Sequence, residues 1–287
     1  GDHDGRPDGA CARCCTMTTP LTPGAAKKSL GQHFLFDPAL LKRVANAGGG
    51  VEGKTIVEVG PGPGGLTRAL LDSGVAKLIA IELDDRFAEG LGRWPETRNG
   101  QLHVHHGDAR RVNIAELVKS VGGELPAMIV ANLPYNVGTP LLVEWLKTAD
   151  WRSTMVLMFQ KEVALRICAA PDEEHYGRLA VLAQAAARPR IAMIIPPGAF
   201  RPPPKVDSAV VVLDPLPADQ AFADLDGLES ITAAAFGQRR KMLRAALKTL
   251  PGAVEALDAA GIDPTRRAET LTQSEFRALA AAWRAGR

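Results

Sequence analysis

Thr55-Ile-Val-Glu-Val-Gly-Pro-Gly-Pro-Gly-Gly-Leu-Thr-Arg-Ala-Leu-Leu71 is the stretch on which the fold turns. Thr55–Val59 is a β-branched run, Gly60–Gly65 is a glycine-rich turn, and Leu66–Leu71 has helical spacing. A short apolar strand that breaks at glycines and re-enters as a helix opens a wound α/β sheet. Outward from it the pattern repeats. Lys77–Ile81, Leu102–His106, Ala127–Ala131, Met155–Phe159, Ile191–Ile195 and Ser208–Leu213 read as further strands, separated by helical stretches. Runs of this kind predict a parallel sheet with helices on both faces.

Polar residues stand at the carboxyl ends of these strands: Glu58 and Gly60, Glu82, Asp108 and Asn132. Ligands of open α/β sheets bind there, at the switch in strand order. Gly60-Pro-Gly62-Pro-Gly-Gly65, with Glu82 22 residues after Gly60, fits the dinucleotide fingerprint, and so an NAD-dependent dehydrogenase. The same geometry serves S-adenosylmethionine, with Glu82 accepting from the ribose hydroxyls. The glycine loop does not separate the two readings; Asp108 and Asn132-Leu-Pro-Tyr135 do. Asp108 is placed to accept from an adenine amino group of the cofactor. An exocyclic adenine nitrogen is a poor nucleophile, because its lone pair is conjugated into the ring. Acceptors on the Asn132 side chain and the Leu133 carbonyl would take its two N–H bonds and aim it at a sulfonium methyl. Pro134 stiffens the turn and the Tyr135 ring offers a face to the base.

The chain has 287 residues, 46% hydrophobic and 23% charged, with a formal net charge of +2. This composition excludes wholesale disorder and suggests two domains. No apolar run reaches the ~18 residues of a membrane span. Cys11, Cys14 and Cys15 crowd the start, leaving Cys168 alone elsewhere, so no disulfide framework is expected and no metal site either. Residues 1–25, rich in Gly, Asp, Arg, Thr and Pro and without a signal-peptide h-region, are expected to be a disordered extension. Asp214-Pro-Leu-Pro217 marks a linker, giving domains at 26–214 and 215–287. Beyond it the sequence predicts a small all-α domain, with helices near 221–223, 227–236, 241–248, 253–260 and 273–283. Gln238–Lys248 carries Arg239, Arg240, Lys241, Arg244 and Lys248 without an acid. Arg188, Arg190, Arg201 and Lys205 form a second basic stretch. Concentrated charge in a near-neutral chain is the footprint of a phosphate-backbone partner.

Lys28-Ser-Leu-Gly-Gln-His-Phe-Leu35, Glu58-Val-Gly-Pro-Gly62, Ile81-Glu-Leu-Asp84, Asn132-Leu-Pro-Tyr-Asn136, Gln160-Lys-Glu-Val163 and Phe200-Arg-Pro-Pro-Pro-Lys-Val-Asp-Ser-Ala209 occur in one order. Together they resemble the ribosomal RNA adenine dimethyltransferases, in particular the bacterial enzymes of the small subunit, from about Lys27 to the C-terminus. The resemblance implies a Rossmann-like class I S-adenosylmethionine-dependent methyltransferase domain with a small all-α C-terminal domain. It implies transfer of two methyl groups to N6 of each of two adjacent adenines near the 3′ end of small-subunit (16S) RNA, with a role in 30S biogenesis. The partner is that RNA within the 30S subunit or its precursor, and the expected state is a cytoplasmic monomer. Carried over by position, the cofactor contacts fall on His33, Leu35, Gly60, Glu82, Asp108 and Asn132. The catalytic set falls on Asn132, Leu133, Pro134, Tyr135 and Phe200, the last facing the flipped adenine opposite Tyr135. Arg201, Lys205, Arg239, Arg240, Lys241 and Arg244 are the expected RNA contacts. The family often has asparagine where this chain has His33, which makes that contact titratable. Two rivals remain: the related large-subunit dimethyltransferases of antibiotic resistance, and a non-catalytic assembly factor.

Overall fold

The computed structural model describes residues 33–287; the cysteine-bearing start and Lys28–Gln32 lie outside them. Seven strands form one sheet: β1 (Thr55–Val59), β2 (Lys77–Glu82), β3 (Leu102–His106), β4 (Ala127–Asn132), β5 (Arg152–Gln160), β6 (Ala187–Ile195) and β7 (Ser208–Pro215). Their order is β3-β2-β1-β4-β5-β7-β6. The pairs among β1 to β5 are parallel. The sheet is therefore wound outward from β1 in both directions, and the crevice between the ends of β1 and β4 is its switch point.

A wholly parallel sheet was the sequence expectation, and here it is corrected: β7 runs antiparallel to both β5 and β6. A parallel return needs a crossover, usually a helix. The 196–207 connection instead carries five prolines and holds only a one-turn 3-10 segment, Pro197–Ala199, and the two-residue strand Phe200–Arg201. The chain can only double back. The doubling back brings residues 200–208 to the same edge as the ends of β1, β2 and β4.

The strands divide their side chains between two apolar layers. Ile56, Leu78, Met128 and Val156 face Leu41, Leu66 and Leu70 of helices Pro38–Ala45 and Gly65–Asp72. Val57, Ile79, Ile129 and Leu157 face helices Gly138–Lys147 and Arg178–Ala186, and that layer continues through Leu228, Leu257, Phe276 and Trp283 of the C-terminal helices. Tyr176, fully buried, donates to the Leu271 carbonyl at 2.8 Å and ties the sheet's helical layer to the C-terminal region.

Two helical expectations fail there. Residues 221–223 form a bend before helix Leu225–Gly237, whose N-cap is Asp224. The basic segment is not one helix either: helix Leu225–Gly237 ends, 238–242 is turn and bend, and only Leu243–Ala246 is helical, followed by the 3-10 turn Leu247–Thr249. The N–H groups of Leu243 and Arg244 donate to the carbonyls of Arg266 and Pro264 at 2.8 and 3.0 Å. A partner across the chain replaces the i−4 carbonyl a helix would have used.

Candidate active site

The glycine loop is shaped by what lies against it. Gly62 has φ +55°, and a Cβ there would stand 2.4 Å from the Phe34 ring. The loop can thus be closed over by the 33–35 segment only if position 62 has no side chain. Gly62 N–H donates to Glu82 Oε2 and Asp84 N–H to Oε1, both at 2.8 Å. Burial pushes the Glu82 carboxyl up, against the pull of the Asp84 and Gly62 N–H groups. Glu58, one strand position before Val59, is 1% exposed, and burial drives its carboxyl up to about 8. Its Oε2 has no hydrogen-bond partner among the described residues.

At the end of β4, the Asn132 side-chain amide donates to the His33 carbonyl at 3.0 Å. That bond fixes the amide's orientation and leaves Oδ1 as an unpaired acceptor. Tyr135 Oη shares a hydrogen bond with Ser208 Oγ at 3.1 Å, and its ring centre lies 5.4 Å from that of His33. Burial raises the Tyr135 hydroxyl, which stays protonated. His33 Nδ1 donates to the Pro202 carbonyl at 2.9 Å. One small cavity is lined by His33, Gly60, Glu82 and the whole Asn132–Tyr135 turn. A neighbouring cavity of about 210 Å³ shares Gly60, Glu82 and Pro134 and adds Leu83, Asp108 and Arg110. The Arg110 guanidinium, 2.7 Å from Asp108, holds that carboxyl below the usual range. Leu35 lies behind, on a third small cavity with Glu58 and Gly65.

The structure thus gathers His33, Leu35, Gly60, Glu82, Asp108 and Asn132–Tyr135 along one edge. Phe200 is a correction. It is 1% exposed, packed in the apolar layer with Leu35 and Ile195, and lines none of these cavities. It closes the core under the site and offers no face to a base. Among the basic residues, Arg201 is exposed over Phe36, and Lys205 borders an open groove with Lys161 and Asp207. Arg239 donates to the Glu174 carbonyl and pairs with Glu269 at 3.6 Å. Arg240, Lys241 and Arg244 are exposed and make no ion pair among the described residues. Phe34, Ser208 and Arg110 escaped the sequence reading. The Asp108-x-Arg110 spacing was the available signal for the last, since a carboxylate that accepts from the N–H two residues on also meets that residue's side chain.

A doubly wound sheet with a strand-end glycine loop, a buried carboxylate ending the next strand and an Asn-Leu-Pro-Tyr turn defines the class of Rossmann-like methyltransferases. The family described as "Ribosomal RNA adenine dimethylase" matches residues 24–283, and the chain belongs to that family, whose enzymes are S-adenosylmethionine-dependent. The "Ribosomal RNA small subunit methyltransferase A" of Gluconobacter oxydans is 52% identical over 258 residues, 89% of this chain and 82% of that protein. Its namesake from Rhodospirillum rubrum is 51% identical over 261 residues, 90% of this chain and 88% of that one. In fold, the chain is similar to a dimethyladenosine transferase from Plasmodium falciparum, with a TM-score of 0.70 at 24% identity over 86% of this chain and 95% of that one. It is also similar to the 23S rRNA methyltransferase ErmE, at 0.63 and 24% over 88% and 99%.

Proposed function

We propose that the chain transfers methyl groups from S-adenosylmethionine to N6 of two adjacent adenines near the 3′ end of small-subunit ribosomal RNA, within the 30S subunit or its precursor. The observation that carries this reading is the Asn132 amide. One of its two N–H groups donates to the His33 carbonyl, Oδ1 has no partner among the described residues, and the residue lines the cavity that Gly60 and Glu82 also line. Adenine N6 donates to Oδ1 and to the Leu133 carbonyl, which localises its lone pair. In each transfer the N6–C bond forms as the S–CH3 bond breaks, N6 loses one proton, and S-adenosylhomocysteine leaves. Glu82 binds the ribose, Asp108 the cofactor's adenine, and Tyr135 the target base. The 26–214 unit carries this chemistry in the cytoplasm, as a monomer, and 215–287 engages RNA through Arg240, Lys241 and Arg244, with Arg201 and Lys205 nearer the pocket. The small-subunit relatives support this choice of RNA.

The experiment supplies unmethylated 30S subunits, or 50S subunits, with methyl-labelled donor and resolves the nucleosides by mass. N6,N6-Dimethyladenosine from 30S alone is expected. Label in 50S alone would transfer the assignment to the large subunit, and donor binding without label in either would leave an assembly factor.

A further inference from the structure

Of the large hydrophobic side chains that stand exposed among the described residues, Phe36, Leu83, Ile194 and Val206 lie at or beside the carboxyl edge of the sheet, where the site is. Phe36 differs from the rest. It is 43% exposed, and the Arg201 guanidinium lies over its ring at 4.3 Å. Arg201 is held there by its own strand, donating to the Phe200 carbonyl at 3.1 Å. It makes no ion pair among the described residues. An arginine with no acid beside it, stacked on an exposed aromatic ring, is a cation held in place before any ligand arrives.

Its placement gives it a use. Phe34 pairs with Arg201 and Leu35 with Phe200 in a two-stranded antiparallel ribbon. At the end of the ribbon toward the pocket, His33 donates to Pro202 and lines the Asn132–Tyr135 cavity. Phe36 lies three residues from His33, about 10 Å along an extended strand. We infer that Phe36 and Arg201 form a stacking platform for the nucleotide next to the adenine being methylated, with the base on the ring or guanidinium plane and the phosphate beside the charge. This rests on the proposed reaction, in which one adenine leaves the stack and its neighbour loses a partner. Unstacked RNA bases are received on aromatic faces and guanidinium planes, and an arginine without a counter-charge suits the adjoining phosphate.

Two measurements test it, on Phe36→Ala, Phe36→Leu and Phe36→Trp. In steady-state methylation of 30S subunits, Phe36→Ala should raise KM for the subunit about tenfold, the scale of one lost base stack. Its kcat should stay within about twofold and its donor affinity unchanged, as for a contact made equally in ground and transition states. Phe36→Trp should restore KM and Phe36→Leu should not. In parallel, a short single-stranded RNA with 2-aminopurine beside the target adenine should be quenched by the wild type and by Phe36→Trp, and not by Phe36→Ala. A wild-type KM and wild-type quenching in Phe36→Ala overturn the platform, and so does rescue by leucine equal to that by tryptophan, which would reduce Phe36 to apolar packing. Failure of the wild type to methylate either subunit overturns the reading of the pocket instead, and the quenching arm still decides the platform.

Discussion

In the proposed reaction the chemistry rests on Asn132. Asn132→Ala removes the unpaired acceptor and should lower single-turnover methylation at saturating donor by at least ~10²-fold, the loss typical of one transition-state hydrogen bond. RNA affinity should be largely kept; rapid-quench assays with pre-bound subunits check it. Glu82→Ala should weaken donor binding in a titration calorimeter by roughly 1.5–3 kcal/mol, as when a charge-assisted hydrogen bond is lost. Glu58 makes a prediction about pH. Its folded value of about 8 lies above the ordinary 4.5, so the proton it holds confers stability fully present below pH 4.5. That stability is lost as pH climbs through 8. Glu58→Gln keeps the neutral shape, and relative to it the wild type should lose on the order of 4–5 kcal/mol across that window. Urea unfolding at a series of pH values reads the difference. Strand-end residues such as Glu82 and Asn132 were legible in the sequence because a polar side chain that closes an apolar strand just before a turn sits where ligands of such sheets bind. Phe200 was not: which face an aromatic takes after a turn depends on the ribbon it forms with Phe34–Leu35, and nothing local encodes that pairing.

At the scale of elements, strands were legible and their direction was only partly so. β1, β2, β4 and β5 have apolar runs stopped by Gly60, Glu82, Asn132 and Gln160, β3 alternates histidine with Leu102 and Val104 before Gly107, and the parallel winding follows from the helices between them. The reversal of β7 was written in the proline-rich 196–207 stretch, whose lack of helical spacing left no crossover. The basic segment misled because Arg240, Lys241 and Arg244 fit a helical period, while the bonds from Leu243 and Arg244 to the 264–266 loop cannot be seen without the fold. Helix Gly138–Lys147, which follows the Asn132–Tyr135 turn, ends on a device the sequence hides. Arg152, 3% exposed, donates to the carbonyls of Trp145 and Leu146, closing the last turn with a buried cation whose guanidinium burial pulls down to about 10. Arg152→Met should strand both carbonyls and cost about 2–4 kcal/mol. A shift of the denaturant midpoint with unchanged slope would record it.

Across the whole molecule, the sheet's helical layer and the C-terminal helices share one apolar layer and enclose a cleft of about 1150 Å³ between them. Its charges are largely paired: Lys147 with Asp226 at 2.8 Å, Arg178 and Lys147 with Glu229, and Arg166 with Glu162. Arg240, Lys241 and Arg244, and Arg201 and Lys205, stand exposed outside it, and among the described residues no ion pair holds Arg240, Lys241, Arg244 or Arg201. Arg240→Ala with Lys241→Ala should therefore lower the slope of log affinity for 30S subunits against log salt by roughly 1 to 1.5, at about 0.7 per phosphate contact. Donor affinity should not move, since the glycine loop is at a different edge. Filter binding over a salt series measures the first and calorimetry the second. Arg239, already engaged by Glu174 and Glu269, should add little.

The bond from the Asn132 amide to His33 has a consequence for turnover. With one amide N–H tied to the His33 carbonyl, Oδ1 and the Leu133 carbonyl are the two acceptors the proposed reaction turns toward the base, and their hold on it scales with its proton count. Adenine brings two N–H bonds, the monomethylated base one, and the dimethylated base none. Each round of transfer thus removes one of the bonds that held the base, and the finished product has nothing left to offer the turn. On this reading the stop after two methyls, and the release that follows, are properties of the acceptor geometry at the end of β4 and call for no separate signal.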